Sequence, residues 1–125
     1  MEERNVRPWG YYQILSDAPD HKVKRIVVES GGCLSLQRHQ RRAEHWYAVA
    51  GVGQATIDDR IYALTPGIAV DIPRGSIHRL ENTAAEPLMI IEVQTGSYFG
   101  EDDIERLEDK YGRKDAAGQE ESRKG

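Results

Sequence analysis

Along this chain apolar and polar residues alternate in short runs, and each run stops at a glycine, proline or aspartate. Lys24-Arg25-Ile26-Val27-Val28 is rich in β-branched side chains and is followed by Gly31-Gly32 as a turn. Leu34-Ser35-Leu36-Gln37 alternates, and the longer aromatic run from His45 to Ala50 ends at Gly51. Gln54-Ala55-Thr56-Ile57 and Arg60-Ile61-Tyr62-Ala63-Leu64 flank Asp58-Asp59, an acidic pair that tolerates the backbone of a hairpin turn. Thr65-Pro66-Gly67 and Pro73-Arg74-Gly75 bracket a strand from Ile68 to Ile72, and Ile77 to Leu80 and Leu88 to Val93 complete the series. About eight short strands with no helix between them predict an all-β sandwich or barrel.

The pattern changes after residue 100. Ile104, Leu107 and Tyr111 share a helical face, Glu101-Asp102-Asp103 suits the first turn of a helix dipole, and Gly112 supplies a stop. A short C-terminal helix packed on the barrel is the expectation. Residues 113–125 carry no large apolar side chain, so 1–112 reads as the folded domain and 113–125 as a flexible tail.

Composition narrows the class. At 125 residues there is room for one domain, and 38% hydrophobic with 30% charged residues describes a globular chain. The N-terminus MEERNVRPWG lacks a signal-peptide hydrophobic stretch, and no apolar run is long enough to span a bilayer. Cys33 stands alone, which fits a reducing cytoplasm and excludes an intrachain disulfide framework. A net charge of −4 argues against a nucleic-acid-coating protein. No phosphate-binding glycine loop or dinucleotide fingerprint is present.

The candidate chemistry sits in two glycine-bounded clusters. The first runs from Gly31 through Gln37, His39 and Glu44 to Gly51; the second runs from Gly67 through Pro73 and Gly75 to His78 and Asn82. Positions i and i+2 of a strand face one side, so Gln37 and His39 can reach one point inside a barrel. Glu44 and His78 could complete a four-ligand set, whose imidazole, carboxylate and amide oxygens suit a divalent ion such as Zn²⁺. His45 adjoins Glu44 and faces the other way. Lys24 points inward if Ile26 and Val28 do. A polar interior satisfied by its own hydrogen bonds is the alternative to a metal site.

These clusters resemble the paired motifs of the cupin superfamily, with Gln37 in place of the first histidine of the usual His-x-His. Gln-x-His with a later Glu and His is similar to the metal set of phosphomannose isomerases. Arg7-Pro8-Trp9-Gly10-Tyr11, Lys22 to Ile26, Arg42-Ala43-Glu44-His45-Trp46, His78 to Asn82, Ile91 to Tyr98 and Gly100 to Ile104 extend the likeness over about residues 7–113. Together they resemble the C-terminal isomerase domain of bifunctional mannose-1-phosphate guanylyltransferase/mannose-6-phosphate isomerases, here without the nucleotidyltransferase domain. The resemblance implies a double-stranded β-helix, or jelly-roll barrel, and a homodimer. It also implies a divalent metal on Gln37, His39, Glu44 and His78, zinc first, with Mn, Co, Ni or Fe as alternatives.

The implied reaction interconverts mannose 6-phosphate and fructose 6-phosphate through an enediol. Arg42, Arg79 and Lys24 are the candidates for anchoring phosphate or moving protons, and Glu92 is a candidate base. Guanylyltransferase activity is not expected. Two rival readings remain: a mononuclear cupin oxygenase, which would normally use three histidines, and a non-catalytic sugar- or nucleotide-sugar-binding cupin. Gln40, where the family usually has another histidine, favours the second rival. Arg38 and Arg41 read as solvated rim residues, Cys33 as a small buried hydrophobe, and Trp9 and Trp46 as packing anchors.

Overall fold

A computed structural model of the chain describes residues 3–111. Its strands are β1 (Asn5–Arg7), β2 (Gly10–Asp17), β3 (His21–Val28), β4 (Leu36–His39), β5 (Arg42–Ala50) and β6 (Gly53–Ile57). They continue with β7 (Arg60–Leu64), β8 (Ala69–Ile72), β9 (His78–Glu81), β10 (Leu88–Gly96) and β11 (Ile104–Glu108). Two sheets result, ordered β1-β2-β3-β10-β5-β8 and β11-β4-β9-β6-β7, and every pairing is antiparallel. The expected all-β two-sheet barrel is what these residues form.

Alternation sets the inside. On β5, Arg42, Glu44, Trp46 and Ala48 are buried while His45, Tyr47 and Val49 are exposed. On β10, Leu88, Ile90, Glu92 and Gln94 are buried, and on β3 so are Lys24, Ile26 and Val28. The pairing register lays these faces side by side: Glu92 opposes Lys24 and Trp46, and Ile90 opposes Ile26 and Ala48. Trp9, Trp46, Val28, Ala55, Leu64, Leu80, Leu88 and Ile90 belong to one apolar core. Burial of such surface, at roughly 25 cal/mol per Å², drives the sheets together.

Turn chemistry follows the sequence pattern. Asp58 has φ +54°, as the β6–β7 hairpin needs, and its carboxylate accepts the Ile77 N–H at 3.1 Å. Gly75 has φ +82°, and its N–H donates to the His39 carbonyl at 2.8 Å. The turn before β9 is thereby tied to the end of β4, which brings His78 beside His39.

Two regions depart from the expectations. The N-terminal residues form a hairpin, β1–β2, that the hydrophobic runs did not announce. The predicted C-terminal helix is absent: Glu101–Asp103 is a single 3-10 turn, and Ile104–Glu108 is a strand paired with β4. The reason is local hydrogen bonding. Asp103 accepts the backbone N–H groups of Gln40 and Arg41 at 3.3 and 3.0 Å, so it caps the β4–β5 turn and not a helix. Leu36 to His39 then offer a free strand edge to Ile104–Glu108, and Arg38 pairs with Glu105 at 2.8 Å across it. The predicted stop at Gly112 and the tail 113–125 lie outside the described residues.

Candidate metal centre and ligand cavity

Three donor residues converge at one end of the barrel. His39 from β4, Glu44 from β5 and His78 from β9 are all buried, and their ligand atoms lie within 4.8 Å of one another. His39 Nε2 is 3.1 Å from Glu44 Oε2, and His78 Nε2 is 3.9 Å from Glu44 Oε1. His78 Nδ1 lies 2.9 Å from the Ser76 carbonyl, which only accepts, so Nδ1 carries the proton and Nε2 turns its lone pair to the cluster. Burial lowers the His78 pKa below its ordinary value, which favours the neutral imidazole that metals bind.

Gln37, the fourth predicted ligand, opposes His78 across the β4–β9 pair. Its amide nitrogen donates to Ser35 Oγ at 2.7 Å, which directs the amide oxygen away from that bond as the atom available to a ligand. Two imidazoles, one carboxylate and one amide oxygen fit a borderline divalent cation. The chemistry of the residues present therefore suits a metal.

Around the donors lies a polar network. Arg42 Nε donates to Glu44 Oε2 at 2.8 Å, and its Nη2 lies 3.2 Å from His39 Nε2. Its Nη1 is buried with no hydrogen-bond partner. Burial works against the charged form of Glu44, yet the polar groups around it, the His39 hydrogen bond first and then His78 and Arg42, outweigh it and hold this carboxyl well below the usual range. Glu92 behaves oppositely. Burial, then the neighbouring Glu44 carboxylate, push its pKa up to about 8, with Lys24 opposing. Trp46 Nε1 donates to both carboxylates, at 2.9 Å to Glu44 and 3.1 Å to Glu92, and Gln94 Nε2 donates to Glu92 at 2.7 Å. Trp46 is thus the packing anchor expected of it and also a bridge between the two acids.

The cluster opens into a small cavity of about 70 Å³. Its wall includes Lys24, Gln37, Arg42, Glu44, His78, Arg79 and Glu92. The structure thereby gathers seven of the eight predicted site residues, and His39 stands directly behind Arg42 and Glu44. Arg79 differs from the rest. Its neighbours His78 and Leu80 are buried inward, while its own guanidinium is held by the Leu34 carbonyl at 3.2 Å and by Glu108 at 3.0 Å. It closes the cavity wall as a strut between β9 and β11.

Sequence reasoning missed Arg7 and Arg106, which also line the cavity. The signal for Arg106 is the alternation in Ile104-Glu105-Arg106, which puts Ile104 and Arg106 on one side and is masked by the helical spacing of Ile104, Leu107 and Tyr111. Gln40, the departure from the resembled family, is exposed on the β4–β5 turn, outside the cavity wall. His45 faces outward as expected and lies 2.7 Å from Asp71. Cys33 is buried, and that burial raises its thiol pKa. Among the described residues no helix is long and apolar enough to cross a membrane.

Comparison with known proteins agrees with this geometry. The alginate biosynthesis protein AlgA of Pseudomonas syringae pv. tomato is 54% identical over 110 residues, covering 88% of this chain and 23% of that protein. A mannose-1-phosphate guanylyltransferase of Klebsiella pneumoniae is 47% identical over 107 residues, covering 86% of this chain and 23% of the relative. The chain thus spans under a quarter of the length of the curated relatives it matches. In fold it is similar to the capsular polysaccharide assembling protein CapF of Staphylococcus aureus, with TM-score 0.78 and 24% identity over 86% of this chain and 33% of that one. It is also similar to the oxalate decarboxylase of Bacillus subtilis, with TM-score 0.76 and 19% identity over 85% of this chain and 30% of that one. Residues 1–109 match the family model for the C-terminal region of mannose-6-phosphate isomerase. With its two-sheet cupin fold and buried His39–Glu44–His78 cluster, the chain belongs to the mannose-6-phosphate isomerase C-terminal family.

Proposed function

We propose that this chain is a metal-dependent aldose–ketose isomerase that interconverts mannose 6-phosphate and fructose 6-phosphate through a cis-enediol. The observation that carries the reading is the composition of the cavity. A buried His-Glu-His cluster borders a cavity whose wall has five basic residues, Arg7, Lys24, Arg42, Arg79 and Arg106, against two acids, Glu44 and Glu92. The whole chain has a net charge of −4, so this local excess of positive charge is specific to the cavity and suits an anionic ligand.

The reaction moves a proton between C2 and C1 and needs three things: a proton carrier, stabilisation of a developing oxyanion, and an anchor remote from the reacting carbons. Gln37, His39, Glu44 and His78 would hold the metal, zinc by donor chemistry. Bound there, it would act as a Lewis acid toward sugar oxygens. Glu92 is the proton carrier this reading assigns. Its carboxyl lines the cavity, and Trp46 and Gln94 fix its orientation. Arg42, with Nη1 unpartnered, offers a donor to an oxygen of the substrate as negative charge builds on it.

The fourth ligand position holds Gln37, not a third histidine, which disfavours the oxygenase reading. Gln40, the ground for a binding-only reading, lies on the exposed turn away from these groups. A coupled assay of the purified protein on mannose 6-phosphate, with Zn²⁺, Mn²⁺ or Co²⁺ and with EDTA, tests the proposal. Metal-dependent formation of fructose 6-phosphate is the expected result. Oxygen uptake, or saturable binding without turnover, would overturn it.

A further inference from the structure

Resting on the isomerase reading for the identity of the sugar, we propose that Arg7, Lys24 and Arg106 form a clamp for the substrate's phosphate at the mouth of the cavity. The three cations come from β1, β3 and β11, which the fold brings together although Arg7 and Arg106 lie near opposite ends of the described chain.

Register places Arg106. It opposes Gln37 on β4, and directly opposed residues of an antiparallel pair share a face, so Arg106 lies on the Gln37 side. Ile104 opposes His39 in the same way, and the intervening Glu105 turns outward to its ion pair with Arg38. On the other sheet, Tyr12 holds Arg7 and Lys24 together. The Arg7 guanidinium carbon is 5.1 Å and Lys24 Nζ 4.2 Å from the ring centroid. Arg7 Nη2 also donates to the Tyr12 hydroxyl at 3.2 Å.

Two cations beside one ring offer an anion two points of attraction. The edge strands of the two sheets, β1 and β11, each add an arginine, whose fork matches phosphate oxygens two at a time. Lys24 opposes Glu92 and Arg106 opposes Gln37 in the strand pairing, so the clamp borders the donor cluster within one cavity. A sugar phosphate spanning them would have its phosphate at the clamp and its reacting carbons at the donors. This assigns Arg7 and Arg106 to binding and leaves Arg42 and Glu92 to the chemistry.

Calorimetric titration of the zinc-loaded protein with inorganic phosphate, mannose 6-phosphate and mannose tests the clamp, using Arg7→Gln and Arg106→Gln separately. Each variant should weaken both phosphate ligands about 10- to 100-fold, the size of one charge-assisted hydrogen bond, and leave mannose unmoved. KM for mannose 6-phosphate should rise with kcat unchanged, and Arg7→Lys should recover part of the loss. Arg38→Gln, on the outer face, should match the parent protein. Unchanged phosphate affinity in both glutamine variants, or an equal loss for mannose, would overturn the clamp. Parent protein that turns over mannose 6-phosphate while the variants keep its KM sinks the clamp and leaves the isomerase reading. Phosphate binding lost in the variants of a parent protein without turnover does the reverse.

Discussion

The two ends of the barrel interior are built by the same strands and differ completely in chemistry. On β10 the inward face reads Leu88, Ile90, then Glu92, Gln94; on β3 it reads Val28, Ile26, then Lys24; on β5 it reads Ala48, Trp46, then Glu44, Arg42. The switch falls at one level on β3 and β10 and one inward pair later on β5, where Trp46 opposes Glu92, so one end is a dry core and the other a buried polar network. Apolar packing at the first end holds the sheets at the spacing the second requires. At the second, burial costs free energy for each charge unless a partner meets it, and the partners are present: Arg42 for Glu44, Trp46 for both acids. A fold that needed only stability would be better served by an apolar interior throughout. Under the proposed function, the polar end serves a ligand.

Three substitutions separate the two ends. Glu44→Gln should have the largest effect on activity. It removes a ligand charge while nearly preserving shape, so turnover should fall at least about 10²-fold and bound metal, measured by mass spectrometry, should drop with it. Leu80→Ala at the apolar end should do the opposite. Leu80 is fully buried, so its loss should cost about 2–5 kcal/mol in urea unfolding, with metal content per folded chain unchanged. His45→Ala is the smallest change. His45 is beside Glu44 in sequence but on the outer face against Asp71, so stability should move by no more than about 0.5 kcal/mol and turnover should stay at the parent level. If His45→Ala matched Glu44→Gln in its loss of activity, the division of β5 into an inner and an outer face would be wrong.

Much of this division was legible in the sequence. The alternation of Arg42, Glu44, Trp46 and Ala48 against His45, Tyr47 and Val49 is a local pattern that tertiary packing obeys. The donors His39, Glu44 and His78 stood out because turn glycines frame them and because their types suit a metal. Lys24 was placed inward by counting from Ile26 and Val28, and it is inward. What failed depended on partners far away in the chain. Ile104, Leu107 and Tyr111 fit a helix by spacing, but the unpaired edge of β4 recruits residues 104–108 as a strand, and no local pattern reports that edge. Arg7 and Arg106 were missed for the same reason, since each gains its place only when an edge strand closes one side of the cavity. Arg79 was read through its motif, and its contacts with Leu34 and Glu108 become visible only once β11 is in place.

The central claim is that the polar end is a metal centre for chemistry on an anionic sugar. The most direct measurement starts from rigorously metal-free protein and follows turnover of mannose 6-phosphate as Zn²⁺ is added. Turnover should be absent at the start, rise with added metal, and level off near one equivalent per chain. Full turnover in the metal-free protein, unchanged by added zinc, would contradict the account.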